Sequence, residues 1–202
     1  MEILLATGNK HKAFELLKIL PLKTNSGKSI KYLTLADFPS TPEPEENGKT
    51  LADNAIIKAT FGLKLAKIPT LADDTGLIVD ALGGQPGVHS ARYAFKDKAD
   101  YAANNEKLLK ELATTPANQR TARFTTVAAL ALPNGEIILK EGSVEGTIAQ
   151  NYLGEKGFGY DPLFLVKDAN KTMAQMTAEE KNKISHRAKA FLQMAEKIKK
   201  LN

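Results

Sequence analysis

ARFTTVAALALPNGEIILKEGSV runs from Ala122 to Val144 and is broken once, near its middle, by Pro, Asn and Gly. Two apolar, β-branched-rich runs, 122–132 and 136–144, flank Pro133-Asn134-Gly135. Asn-Gly tolerates the positive φ of a tight turn, so the pattern predicts a hairpin of two long antiparallel strands. Elsewhere strand-like and helix-like segments interleave, the arrangement of parallel units. The two together predict an α/β protein with a mixed sheet and flanking helices, not a purely parallel one.

Toward the N-terminus, Glu2 to Thr7 reads as a strand entering a Gly-Asn turn. Ala13, Leu16, Leu17 and Leu20 then recur at helical spacing until Pro21. Ile30 to Leu35 reads as a second strand. Asp37 to Lys49 is rich in Pro and Glu and reads as irregular. Thr50 to Lys67 is a helix with Leu51, Ala55, Ala59, Leu63 and Ala66 on one face. Thr70 to Ala72 reads as a short strand, Gly76 to Leu82 as an extended segment, and GGQPG as a turn. Beyond the acidic stretch, Ala99 to Ala113 reads as a helix and Leu163 to Val166 as a strand. Thr177 and Glu180 form a capping box for a last helix, striped by Ile184, Ala188, Phe191, Ala195 and Ile198. No repeat, low-complexity segment or linker interrupts the chain, so residues 1–202 are expected to be a single domain.

Of the 202 residues, 43% are hydrophobic, enough for one substantial core. Cysteine is absent, which excludes disulfides, thiolate nucleophiles and zinc-thiolate sites. No apolar run is long enough for a signal peptide or a membrane span, so a cytoplasmic protein is expected. The net charge of +5 suits an anionic partner, although the lysines near the C-terminus also complement a helix end. Ser26-Gly27-Lys28-Ser29 imitates the end of a P-loop, but Leu22 stands where the first glycine belongs. His11, His89 and His186 lack metal-ligand spacing.

Four stretches carry chemistry. Thr7-Gly8-Asn9-Lys10-His11-Lys12 joins a strand to a helix, where backbone N–H groups and lysines suit a phosphate; an ordinary capped turn is the plainer alternative. Asp73-Asp74 sits between apolar runs, where adjacent carboxylates are costly unless something binds them. A turn cap would explain one of them. A hard divalent cation would explain the pair, because Mg²⁺ takes one or two carboxylates plus phosphate and water oxygens. Glu45 or Glu46, in the acidic loop, could add a ligand. Gly157 to Pro162 combines glycines that admit close approach, rings that stack on a base, and an acid. Lys181 and Ser185 stand one turn apart on the last helix, ahead of His186 and Arg187, which can donate to a carbonyl.

ATGNKHK, ADDTGL, GGQPGVHSARYA, GFGYDPLF and EKNKISHRAKA, taken in that order, resemble the inosine triphosphatase family of nucleoside-triphosphate pyrophosphatases. The resemblance runs from Leu5 to about Ala190. Thr75 replaces the commoner serine and His89 a frequent tyrosine. The resemblance implies an elongated two-lobed fold with a central cleft, and hydrolysis of ITP, dITP and XTP to the monophosphate and pyrophosphate. It implies Mg²⁺ as cofactor and a homodimer, with neither a stable nucleic-acid partner nor a membrane. Carried over residue by residue, it assigns Thr7, Gly8, Asn9, Lys10, His11 and Lys12 to the triphosphate. Asp74 becomes metal ligand and general base, and Thr75 touches substrate. Phe158, Gly159, Tyr160 and Asp161 hold base and sugar, while Lys181, His186 and Arg187 contact phosphate and base. Glu45 is the expected second metal ligand, with Glu46 its competitor. Two other readings stay open: a pyrophosphatase for a different modified nucleotide, and a nucleic-acid-binding module. Against the second, the lysines form no single stripe and the acidic motif would repel phosphates.

Overall fold

The computed structural model describes residues 1–38, 44–95 and 97–201, except for the side chain of Lys10. In chain order the elements are β1 (Glu2–Leu5), α1 (Lys10–Leu17), β2 (Lys31–Thr34), α2 (Leu51–Ala66), β3 (Thr70–Val79), β4 (Pro86–Gly87), α3 (Tyr101–Glu111), β5 (Thr121–Ala131), β6 (Ile137–Ile148), β7 (Phe164–Val166), α4 (Ala178–Ile184) and α5 (His186–Ile198). The strand order is β2-β1-β3-β5-β6-β7, with β4 on β3. β1 runs parallel to β2 and β3, whereas β4 is antiparallel to β3 and β7 to β6. The sheet is therefore mixed, as the hairpin reading predicts. Among the described residues no helix is long and apolar enough to cross a membrane.

Two differences from the sequence reading bear on the site. The segments on either side of the acidic pair form one ten-residue strand, β3, so Asp73 and Asp74 lie inside a strand and not on a turn. The last helix is two helices. Ser185 is extended, φ −65° and ψ 152°, and ends α4 as its C-cap. Serine competes for backbone hydrogen bonds and favours helix ends, which is where it stands here. Lys181 and Ser185 therefore do not share a continuous helix face, and Ile184 belongs to a different helix from Phe191.

The chain divides into two compact units, Met1–Asp74 with Thr126–Gly142 and Arg187–Asn202, and Thr75–Thr125 with Ser143–His186. In the first, strand alternation sorts two cores. Ile3, Leu5, Leu71, Ala128, Leu130 and Leu132 pack with Leu16 of α1 and Ala190, Phe191, Met194 and Ile198 of α5. Their neighbours Ala72, Val127, Ala129 and Ala131 pack instead with Ala55 and Ala59 of α2. Successive strand residues face opposite ways, so VAALAL is apolar throughout because both of its faces are covered. In the second unit, Leu77, Val79, Phe124, Val144, Ile148, Phe164 and Val166 pack with Leu108 of α3 and its C-cap, Leu112.

α2 comes unusually close to its strands. A Cβ on Gly62 would lie 2.6 Å from Thr70 Cγ2 and 3.1 Å from Ala6 Cβ. Ala55, Ala59 and Gly62 are spaced for one helix face, and their small size sets this approach. We expect Gly62→Val to cost about 1–3 kcal/mol by overpacking. Chemical denaturation would read it, and an unchanged midpoint would show that α2 can back away.

Candidate active site

The two adjacent carboxylates never face each other. Being neighbours on β3, they point to opposite sides of the strand. Asp73 shares its side with Leu71 and meets α1 and α5: Lys12 Nζ donates to its Oδ2 at 3.0 Å, and Arg187 Nε lies 3.8 Å away. Arg187 also donates to Glu15 Oε2 at 2.7 Å. Asp74 shares its side with Ala72 and meets α2. Lys58 Nζ donates to its Oδ1 at 2.7 Å, and Asn54 Nδ2 to its Oδ2 at 3.3 Å.

Their environments push the two carboxyls apart. Burial raises Asp73, but Lys12 and Arg187 outweigh it and hold the group well below its ordinary value. That stabilisation is present above the unfolded value of 3.8 and is lost as pH falls below it. At Asp74 burial prevails over Lys58, Glu46 adds a like charge, and the carboxyl is raised. Lys58 is raised despite its burial, because Asp74 and Glu46 both favour its charged form. Burial lowers Lys12 against the attraction of Asp73.

Glu46, and not Glu45, reaches this cluster. Glu45 is exposed, whereas Lys58 Nζ donates to Glu46 Oε2 at 3.2 Å. Asn54 explains the placement, because its Oδ1 accepts from Gly48 N at 2.8 Å and docks the acidic segment on α2. A Cβ on Gly48 would come within 2.6 Å of that same oxygen. Two carboxylates from separate segments thus converge on one cation, the Lys58 ammonium. Among the described residues no group of three or more His, Asp or Glu converges as a metal cluster. Two carboxylate oxygens fit a cation such as Mg²⁺, which keeps its other positions for water and phosphate.

Asn9 caps α1. Its Oδ1 accepts from His11 N at 3.0 Å and Lys12 N at 3.2 Å, so the chain itself already engages two of the N–H groups expected to meet phosphate. Thr7 Oγ1 accepts from Asn9 N at 3.2 Å, and His11 and Gly8 are exposed. The Lys10 side chain lies outside the described residues.

In the second unit, the segment from Gly157 to Asp161 is folded around one carboxylate. Asp161 Oδ2 accepts from Phe158 N at 2.9 Å and from Lys181 Nζ at 2.7 Å. Gly157 has φ +80°, and a Cβ there would collide with Asp161 Oδ2. Tyr160 is buried and donates to Ser90 O at 2.9 Å, which ties the segment to the GGQPGVHSAR turn. Asn105 of α3 donates to Gly159 O at 2.9 Å. What this scaffold leaves half-buried is the ring of Phe158, 6.0 Å from Tyr101 and 5.1 Å from Lys181 Nζ. His186 is buried and stacks on Phe124, with centroids 4.7 Å apart and planes 18° apart. Thr75, next along β3 after the acidic pair, is half-buried. We expect Gly157→Ala to cost about 1–3 kcal/mol through the strained φ. A chemical-denaturation midpoint unchanged from wild type would contradict that.

The Ham1 family model matches residues 3–197. The chain belongs to the Ham1 family. A dITP/XTP pyrophosphatase of Elusimicrobium minutum is 58% identical to this Ham1 chain over 199 residues, 98% of this chain and all of the relative. A dITP/XTP pyrophosphatase of Bacillus subtilis is 48% identical, over 96% of this chain and 95% of the relative. A solved HAM1 protein from Coxiella burnetii superposes with a TM-score of 0.87 at 38% identity, covering both chains fully. In this Ham1 chain sequence reasoning missed Lys58, Asn54, Glu15 and Asn105. The signal for the first two was present: they are polar residues at i and i+4 bordering the Ala55–Ala59 stripe of α2.

Proposed function

We propose that the chain hydrolyses non-canonical purine nucleoside triphosphates, ITP, dITP and XTP, to the monophosphate and pyrophosphate. Mg²⁺ is the cofactor, and the working form is a cytoplasmic homodimer. The observation that carries the chemistry is the pair of carboxylates, Asp74 and Glu46, converging on one cation position, which the Lys58 ammonium holds here. Bound there, Mg²⁺ neutralises phosphate charge and makes a water molecule easier to ionise.

The chain's own residues supply the rest. Asp74 orients the attacking water and accepts its proton. Thr7 to Lys12 and Lys58 offset the negative charge that would repel the nucleophile. Glu15 and Asp73 hold Arg187 in place. Phe158 offers its face to the purine, while Tyr160, Asp161 and Lys181 keep the segment behind it in shape. Donors from His186 and Arg187 suit a 6-oxo group and disfavour a 6-amino group, which would leave them opposed by another donor. Thr75 adds a hydroxyl toward substrate.

The test is kcat/KM with Mg²⁺ for ITP, XTP, GTP, ATP and modified pyrimidine triphosphates. ITP and XTP are expected to exceed ATP and GTP by about 10²-fold or more. ATP turned over as well as ITP would remove the base-selection argument. A pyrimidine that led the panel would favour a pyrophosphatase for a different modified nucleotide.

A further inference from the structure

Lys58 is not a surface lysine that happens to lie near two acids. Its side chain is 13% exposed, and it is rooted in the middle of α2. The small residues Ala55, Ala59 and Gly62 fix that helix against its strands. Its ammonium stands 2.7 Å from Asp74 Oδ1 and 3.2 Å from Glu46 Oε2, at the point where the two carboxylates converge. The Asn54 side chain, one turn earlier, holds both partners: Asp74 directly and Glu46 through Gly48. The protein therefore carries its own monovalent cation in the position suited to a divalent one.

We infer that Lys58 is an internal counterion that excludes free divalent metal from the Asp74–Glu46 pair, so that metal enters this site only together with a triphosphate. The inference rests on the metal reading above. An ammonium in this position and a divalent ion compete for the same oxygens, and their repulsion at such separations forbids joint occupancy. A free ion would have to expel a buried ammonium with no new negative charge to receive it. An ion arriving on a triphosphate brings that charge, so both cations stay neutralised after the exchange. The ion that activates water is then present only when substrate is, and the empty enzyme never loses the counterion that stabilises Asp74 and Glu46.

Mn²⁺ is a suitable probe, because the relaxation of water protons rises when the ion is held by a macromolecule. Wild-type protein should bind Mn²⁺ weakly alone and tightly with inosine 5′-(α,β-methylene)triphosphate, whose scissile bond is blocked. Lys58→Met should bind free Mn²⁺ at least about tenfold more tightly than wild type. Lys58→Arg, which keeps the charge, should behave like wild type. Adding Asp74→Asn to Lys58→Met should abolish the gain. Equal free-ion affinity in wild type and Lys58→Met overturns the inference and leaves the metal reading standing, provided wild type takes up Mn²⁺ with the analogue. Uptake by wild type neither alone nor with the analogue overturns both. Should Lys58→Met fail to fold, wild type alone decides, since free Mn²⁺ bound as tightly as Mn²⁺ with the analogue overturns the inference.

Discussion

Asp74→Asn should lower kcat for ITP with Mg²⁺ by on the order of 10³-fold or more, while far-UV circular dichroism and the melting temperature change little. Asn keeps an oxygen for the Asn54 amide but can neither take a proton nor offer a full charge to a cation. The fold tolerates the change because the wild-type carboxylate is not comfortable. Burial raises its pKa even with Lys58 beside it, so removing its charge relieves a desolvation cost as well as breaking a pair. Lys58 retains Glu46 as a partner. Turnover within tenfold of wild type would remove Asp74 from the chemistry. Equal loss of activity and of folded protein would reassign it to structure.

The second large effect is expected at Lys181. The Lys181 and Asp161 side chains are 8% and 5% exposed, and Asp161 also accepts from Phe158 N. Truncation in Lys181→Ala leaves a buried carboxylate without its cation, at a cost of about 3–5 kcal/mol and roughly 10 °C in Tm. The double replacement Asp161→Leu with Lys181→Met removes both charges and should recover most of that stability. It should not recover the KM for ITP, because the Phe158 N–H then lacks the acceptor that shapes its segment. A single variant that melts like wild type would show that Asp161 finds another counterion. A double variant with normal KM would show that the pair serves stability alone.

Local rules worked wherever the determining contacts are local. The Thr177–Glu180 capping box starts α4 as its spacing predicts, and a Thr50–Asp53 box that the sequence reading did not name starts α2. Asn134-Gly135 closes the turn after β5, with Leu132 N donating to Glu136 O at 2.9 Å and Gly135 N to Leu132 O at 2.9 Å. They failed at Ser185. A continuous apolar spacing from Ile184 to Ile198 looks like one helix, although the residues at its two ends pack in different units. They also failed at the acidic pair, where the reading of two separate extended segments breaks a strand that passes straight through. Glu45 and Glu46 are equivalent to any reading of composition. The fold distinguishes them: Gly48 N donates to Asn54 Oδ1, six residues on, and Lys58 then meets Glu46 while Glu45 stays exposed.

From the chain alone came the mixed sheet, the helix starts, the residues of each motif and the family they resemble, because each depends on neighbours a few positions apart or on residue identity. Once β3 is seen to pass through the acidic pair, period-two alternation sends Asp73 and Asp74 to opposite sides. Folding alone decided what each of them meets: Lys12 and Arg187 on one side of the strand, Lys58 and Asn54 on the other. Those partners are up to 114 positions distant, from Asp73 to Arg187 (187 − 73), and come from three helices. Electrostatic pairing depends on separation in space and on burial, and neither is written in the order of the residues.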